Sequence, residues 1–229
     1  MRLSSFSLTP SLRWLFVPWL VVVAGPAIGS DDLHFSPFHM ERWPTRSFEG
    51  ETEYRVVDKD GQPVLQARAN QQASALYLER EIDLTQTPYL KWCWQVDRIY
   101  PGLNETTQAG DDYPARVYVA HKSGILPWQV QSVNYVWSST QAAGTAWPNA
   151  FTQRAQLLAL QGGDQQVGEW VAEVRDVRED YQRLFGERHD HIDGVALMSD
   201  GDNAGGDATA WFSGLTFSAD PTPPECPSS

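Results

Sequence analysis

From Thr52 to Phe217 the chain keeps returning to one pattern: short runs in which apolar and polar residues alternate, broken by Gly, Asn, Asp and Pro. A side-chain period of two is the signature of strands with one buried face, and no alternation of strand and helix interrupts it. Tyr89-Leu90-Lys91-Trp92-Cys93-Trp94-Gln95-Val96 is the clearest run. It puts Leu90, Trp92, Trp94 and Val96 on a core face and Lys91, Cys93 and Gln95 opposite. Thr52–Val57 and Pro63–Ala67 flank Asp58-Lys59-Asp60-Gly61, whose Asp-Gly pair predicts a hairpin. Further strands are expected at 75–79, 115–120, 132–137, 154–160, 169–175, 192–198, 210–212 and 216–217. One helix is signalled, with Asp176 as N-cap, Glu179 completing a capping-box pattern, Val177, Tyr181 and Leu184 as its apolar stripe, and Gly186 as its stop. The expected fold is all-β: a two-sheet antiparallel β-sandwich of jelly-roll type with one short helix.

The 229 residues suit one domain, and 41% hydrophobic content with ten Trp, eight Tyr and nine Phe is ample for a core. Arg2 and Arg13 precede an apolar run, Trp14–Ala24, and the small residues Gly25 to Gly29. That is the layout of a secretory signal at 1–29, too short and too interrupted by Pro18 to span a bilayer. The expected protein is exported, periplasmic or secreted, with no integral span in the mature chain. Residues 30–47 read as an irregular leader, 48–218 as the sandwich and 219–229 as a disordered Pro-rich tail. A net charge of −12 with no Lys/Arg run argues against a nucleic-acid partner and favours neutral ligands or cations. Export permits Cys93 to pair with Cys226, but a buried residue and a mobile tail read more readily as two unpaired thiols.

Several strings taken together carry a resemblance: Leu90-Lys91-Trp92-Cys93-Trp94, Asp112-Tyr113-Pro114-Ala115-Arg116-Val117-Tyr118, Asn134-Tyr135-Val136-Trp137, Arg175 to Tyr181 with Phe185-Gly186, and Ser199-Asp200-Gly201-Asp202-Asn203. The chain resembles, from about Phe48 to Phe217, an exported bacterial family known only as domain of unknown function number three thousand and forty-seven. The resemblance implies a sandwich similar to galactose-binding-like carbohydrate modules. It implies no chemistry.

The polar residues suggest two sites. In the turn after Met198, Asp200, Asp202 and Asn203 offer part of the oxygen shell of a structural Ca²⁺, against the alternative of a tight turn whose side chains bond their own backbone. Arg116 and Tyr118 alternate with Val117 and Val119; if the strand of Tyr135 and Trp137 is adjacent, Arg and aromatics share a face suited to sugar rings, against the alternative that the aromatics are core packing. Asp112 and Asp180 complete that candidate set, either as ligand acceptors or as salt-bridge partners of Arg116. Asp111, Asp112, Asp180, Asp200 and Asp202 also leave open a polysaccharide hydrolase or lyase, which needs two carboxyls ~5 to 9.5 Å apart. His189-Asp190-His191 can hold a metal, but polar residues are routine between a helix stop and a strand. The leading expectation is an exported, non-catalytic binding domain for a glycan or similar polar ligand; a structural or interaction protein of the envelope is the third reading.

Overall fold

The structure is a computed structural model that describes residues 32–124, 126 and 129–228; the export signal expected at 1–29 lies outside them. Its strands are β1 (Leu33–Phe35), β2 (Thr45–Glu49), β3 (Glu53–Lys59), β4 (Gln62–Asn70), β5 (Ala73–Asp83), β6 (Tyr89–Val96) and β7 (Arg116–Lys122). They continue as β8 (Val130–Ser138), β9 (Ala146–Pro148), β10 (Ala155–Gly162), β11 (Val171–Asp176), β12 (His191–Asp200), β13 (Asp207–Phe212) and β14 (Leu215–Ser218). One turn of helix, α1 (Pro37–Met40), precedes β2, and α2 (Val177–Phe185) joins β11 to β12.

Two seven-stranded sheets form the sandwich. The first runs β1-β14-β6-β13-β4-β3, with β11 also paired to β6; the second runs β2-β5-β12-β7-β8-β10-β9. All pairings are antiparallel except β8 with β10, a correction to the fully antiparallel expectation. Its cause is topological: β9 is the edge, and β10, antiparallel to it, inserts between β9 and β8. Between the sheets, Trp92 of β6 meets Tyr135 of β8 at 5.6 Å between ring centroids and Trp94 meets Trp137 at 5.8 Å, Trp92 and Trp94 lie edge-on at 5.4 Å, and all four are sealed from water. Tilted and edge-on contacts of this kind add about 0.5–1.5 kcal/mol per pair to the burial itself.

Local signals are obeyed. Asp60 and Gly61 both take positive φ in the two-residue turn between Lys59 and Gln62, the backbone that an Asp-Gly hairpin demands. The Asp176 carboxylate accepts from the Glu179 N–H at 3.0 Å, and Gly186, at φ 78°, ends α2.

The two ends of the body differ from expectation. The leader is part of both sheets: β1 pairs with β14, β2 with β5, and Phe35, Met40 and Trp43 are buried in the core. Residues 219–228 of the tail have neither helix nor strand, yet Cys226 is disulfide-bonded to Cys93, and Asp220 accepts from Lys91 Nζ at 3.4 Å. The Pro-rich segment thus lies over the outward face of β6, which explains why Cys93 and Lys91 are buried although they point away from the core.

The disulfide closes a sequence separation of 133 residues. Replacing both cysteines by Ser should therefore lower unfolding free energy by about 3–5 kcal/mol, read as a reduced denaturant midpoint with an unaltered native circular dichroism spectrum.

Candidate functional site

On the second sheet, residues 117 and 119 of β7 face the core, so 116 and 118 face outward. Val117 lies opposite Tyr135, and Tyr118 opposite Asn134. Register therefore places Tyr135 and Trp137 in the interior and gives the outer face Asn134 instead, a correction to the expected Arg-aromatic face. Tyr135 donates its hydroxyl to Asp180 at 2.9 Å, and Asp180 also binds Arg175, so Asp180 belongs to a buried network beneath α2, away from Arg116.

Arg116 is the centre of the outward face, itself buried. Its Nε donates to Asp200 Oδ1 at 2.9 Å, its Nη2 to Asp200 Oδ2 and to the Asp111 carbonyl, and its Nη1 to the Tyr118 hydroxyl at 3.2 Å. The guanidinium also lies 4.2 Å from the Tyr113 ring centre, and Asp111 Oδ2 is 3.6 Å from Nη1. Burial would favour loss of the Arg116 proton, but Asp200 beside it outweighs this and holds its pKa well above the usual value. Burial pushes the Asp200 carboxyl upward, against the pull of Arg116. A planar fork with its donors committed in this way fixes geometry rather than waiting for a ligand.

The Asp200 turn is held from the other side by Asp112. Its carboxylate accepts from the Asn203 N–H and Nδ2, both at 3.1 Å, and from the Ala204 N–H at 2.6 Å. Carboxyl oxygens of Asp112, Asp200 and Asp202 do lie within 4.8 Å of one another, as calcium would require. Within the cluster Asp200 pairs with Arg116, and Asn203 Nδ2 donates to Asp112. Of the turn's glycines, Gly205 takes φ 73°, whereas Gly206 is required by contact: a Cβ there would sit 2.5 Å from the Tyr100 ring.

Above this framework a cleft of about 570 Å³ crosses the sheet. Its floor passes from Ala73 through Met198, Asp200, Arg116 and Tyr118 to Asn134 and Ala155, that is, across β5, β12, β7, β8 and β10. Phe48 of β2 stands at one end and Phe151, in the β9–β10 loop, at the other; their exposures, 57% and 58%, are the highest among large hydrophobics of the described residues. Five interstrand spacings separate β2 from β10, a path of about 24 Å. Asn149 on the rim donates Nδ2 to Asp111 at 3.1 and 3.2 Å. Asn134 Oδ1, on the floor, is buried and has no hydrogen-bond partner among the described residues. Asp202, half-buried at the edge, has its pKa raised by burial and by the charge of Asp112.

Sequence reasoning missed Phe48, Asn134, Asn149 and Phe151. For Asn134 a signal existed: it alternates with Tyr135, so putting Tyr135 inside necessarily puts Asn134 outside. The two Phe residues stand outside any regular alternation that would have marked them.

A family model described as Protein of unknown function (DUF3047) matches residues 41–216. Among curated proteins the chain has no match. Among solved structures it is similar to the Endo-D glycoside hydrolase domain of Streptococcus pneumoniae R6, at 13% identity and TM-score 0.39; the match covers 78% of this chain but only 22% of that one. It is also similar to a thermostable cellulase derived from that of Rhodothermus marinus, at 10% identity and TM-score 0.42, covering 81% of this chain and 99% of the other. A low-affinity xylan-binding module from Roseburia intestinalis matches at 13% identity and TM-score 0.32, covering 82% and 95%.

Because the Arg116–Asp200 pair is buried, removing one partner strands a charge. Arg116→Met should cost about 3–5 kcal/mol in chemical denaturation, and Arg116→Met with Asp200→Leu should recover most of that loss.

Proposed function

The chain belongs to the DUF3047 family, and from its own cleft we propose that it is an exported, non-catalytic domain that binds a neutral glycan. The observation that carries the reading is Asn134: a buried acceptor without a partner, at the floor of a cleft that ends in exposed Phe48 and Phe151. A buried polar atom left unpaired costs about 1–3 kcal/mol, and a sugar hydroxyl is a donor of the right kind to relieve it. Aromatic faces at the two ends suit the apolar faces of pyranose rings. A path crossing six strands suits an extended chain of sugars better than a compact metabolite. Acidic side chains in the cleft and a net charge of −12 disfavour a polyanionic glycan.

Binding is favoured over hydrolysis by the state of the carboxylates. Asp111 is held by Asn149 and Arg116, Asp112 by the turn amides, and Asp200 by Arg116. Each is committed to holding the framework, which leaves Asp202 as the one loosely held carboxyl of the cleft among the described residues, whereas a glycosidase needs one carboxyl free to donate a proton and another free to attack or activate water. The disulfide supports the export reading, since such bonds persist in oxidising compartments.

A neutral-glycan array followed by calorimetry tests this. Binding to an oligosaccharide should fall roughly tenfold in Phe48→Ala and in Phe151→Ala, as for loss of an aromatic anchor, and several-fold in Asn134→Ala, with melting temperatures of the Phe variants unchanged. Absence of binding across the array, or affinities indifferent to all three substitutions, would sink the proposal.

A further inference from the structure

At the far end of β7 and β12 from Arg116 lies a second cluster that the cleft does not use. His121 lies five positions beyond Arg116 along β7, or about 17 Å of extended chain. There His121 meets His191 and Asp193 of β12: Asp193 Oδ2 lies 3.4 Å from His121 Nδ1 and 3.9 Å from His191 Nε2. One donor atom from each of the three residues lies within 4.8 Å of the others. Asp193 falls where the β5–β12 register shifts, between Ile192 and Gly194, an irregularity of the kind that redirects a side chain.

We infer that His121, His191 and Asp193 form a binding site for a divalent transition metal, with zinc as the natural occupant. Two imidazoles and one carboxylate are a donor set that borderline cations prefer and that calcium and magnesium do not. Bonds of ~2.0–2.1 Å at tetrahedral angles put neighbouring donors ~3.3 Å apart; the Asp193–His121 contact at 3.4 Å meets this, and the exposed His191, at 3.9 Å, would close by about half an ångström. His121 Nδ1 is buried and makes no hydrogen bond among the described residues, although it faces the carboxylate. The Asp193 carboxylate is itself anchored by a hydrogen bond, as ligating carboxylates are, and the His121 ring is packed. The Lys122 N–H donates to Asp193 Oδ2 at 2.7 Å, and His189 stacks on the His121 ring at 3.8 Å while its Nε2 contacts Gln131 Oε1 at 3.1 Å. The His191 side chain is 41% exposed, so the three protein ligands leave a coordination position open to water or to another molecule.

Titration of the chelator-treated full chain with Zn²⁺ by calorimetry, and with Co²⁺ by visible absorption, decides the matter. The expected result is one saturable equivalent, a Co²⁺ spectrum of tetrahedral nitrogen and oxygen ligation, and a rise in melting temperature with Zn²⁺. His191→Ala and Asp193→Asn should each weaken Zn²⁺ binding by more than the roughly 10- to 100-fold that losing an outer-shell partner costs. Asp202→Asn, in the other carboxylate cluster, should bind as the unmodified chain does. No saturable equivalent, full affinity in His191→Ala, or a loss seen only in Asp202→Asn would each overturn the inference. His191 is exposed enough that its variant should fold, which equal melting temperatures in chelator would verify; the Co²⁺ spectrum reports the ligands without any substitution. Glycan binding at the distant cleft should be unaffected by either His191→Ala or Asp193→Asn.

Discussion

The outer face of the second sheet is organised by one charge pair. Arg116 at the start of β7 and Asp200 at the end of β12 sit on paired strands, and their bidentate contact is shut away from solvent. From it the constraint spreads outward. Asp111 and Tyr118 satisfy the rest of the guanidinium, Asp111 orders Asn149 on the rim, and Asp200 Oδ1 accepts from the Tyr113 N–H at 3.2 Å. Two long connections, 97–115 and 201–206, are thereby fastened to the sheet, and a cleft exists because they are. A buried pair of this kind is weak evidence of net stability but strong evidence of a single arrangement, since any other leaves a charge without its partner.

The cleft also depends on what its floor excludes. Tyr113, Val136, Trp147, Leu157 and Ala159 form a satellite cluster on one side, and Ala73, Ala75 and Met198, with Tyr118 against them, a second on the other. Buried Glu105 braces the first, accepting from the Ser138 hydroxyl and, at 2.6 Å, from the Ser139 N–H, while its backbone carbonyl receives Tyr113 and Trp147. Between these two apolar shoulders the polar strip of Arg116, Asn134 and Asp200 lies buried at the floor of the cleft. The glycan and metal proposals occupy opposite ends of the same pair of strands, so the sheet acts as a common rigid support for both.

Much of the fold was legible because its signals are local. Period-two alternation marked the strands, the Asp60-Gly61 turn and the Asp176 and Gly186 caps mark element ends, and each depends on residues within a few positions of one another. The errors have a common physical origin. Composition alone marks leader and tail as irregular, yet Phe35, Met40 and Trp43 are drawn into the core, and the disulfide to Cys93 ties down a segment whose prolines suggest none of this. Of the candidate site, Arg116, Tyr118 and Asp200 stand where the cleft is. Tyr135 and Trp137 do not, because alternation gives two parities for each strand and only pairing with β7 selects between them.

The sequence by itself determined the class of the molecule: short alternating strands, one capped helix and an acidic chain with enough aromatic bulk for a two-sheet core. These follow from periodicity, turn chemistry and charge, which are properties of neighbours along the chain. Only the tertiary structure decided that Arg116 pairs with Asp200 rather than Asp112 or Asp180, that Cys93 finds Cys226, and that His121 meets His191 and Asp193. Those encounters join residues 70 to 133 positions apart, and no local energy encodes them. They are set by strand order and register, which a chain reaches only when both sheets close on the shared core.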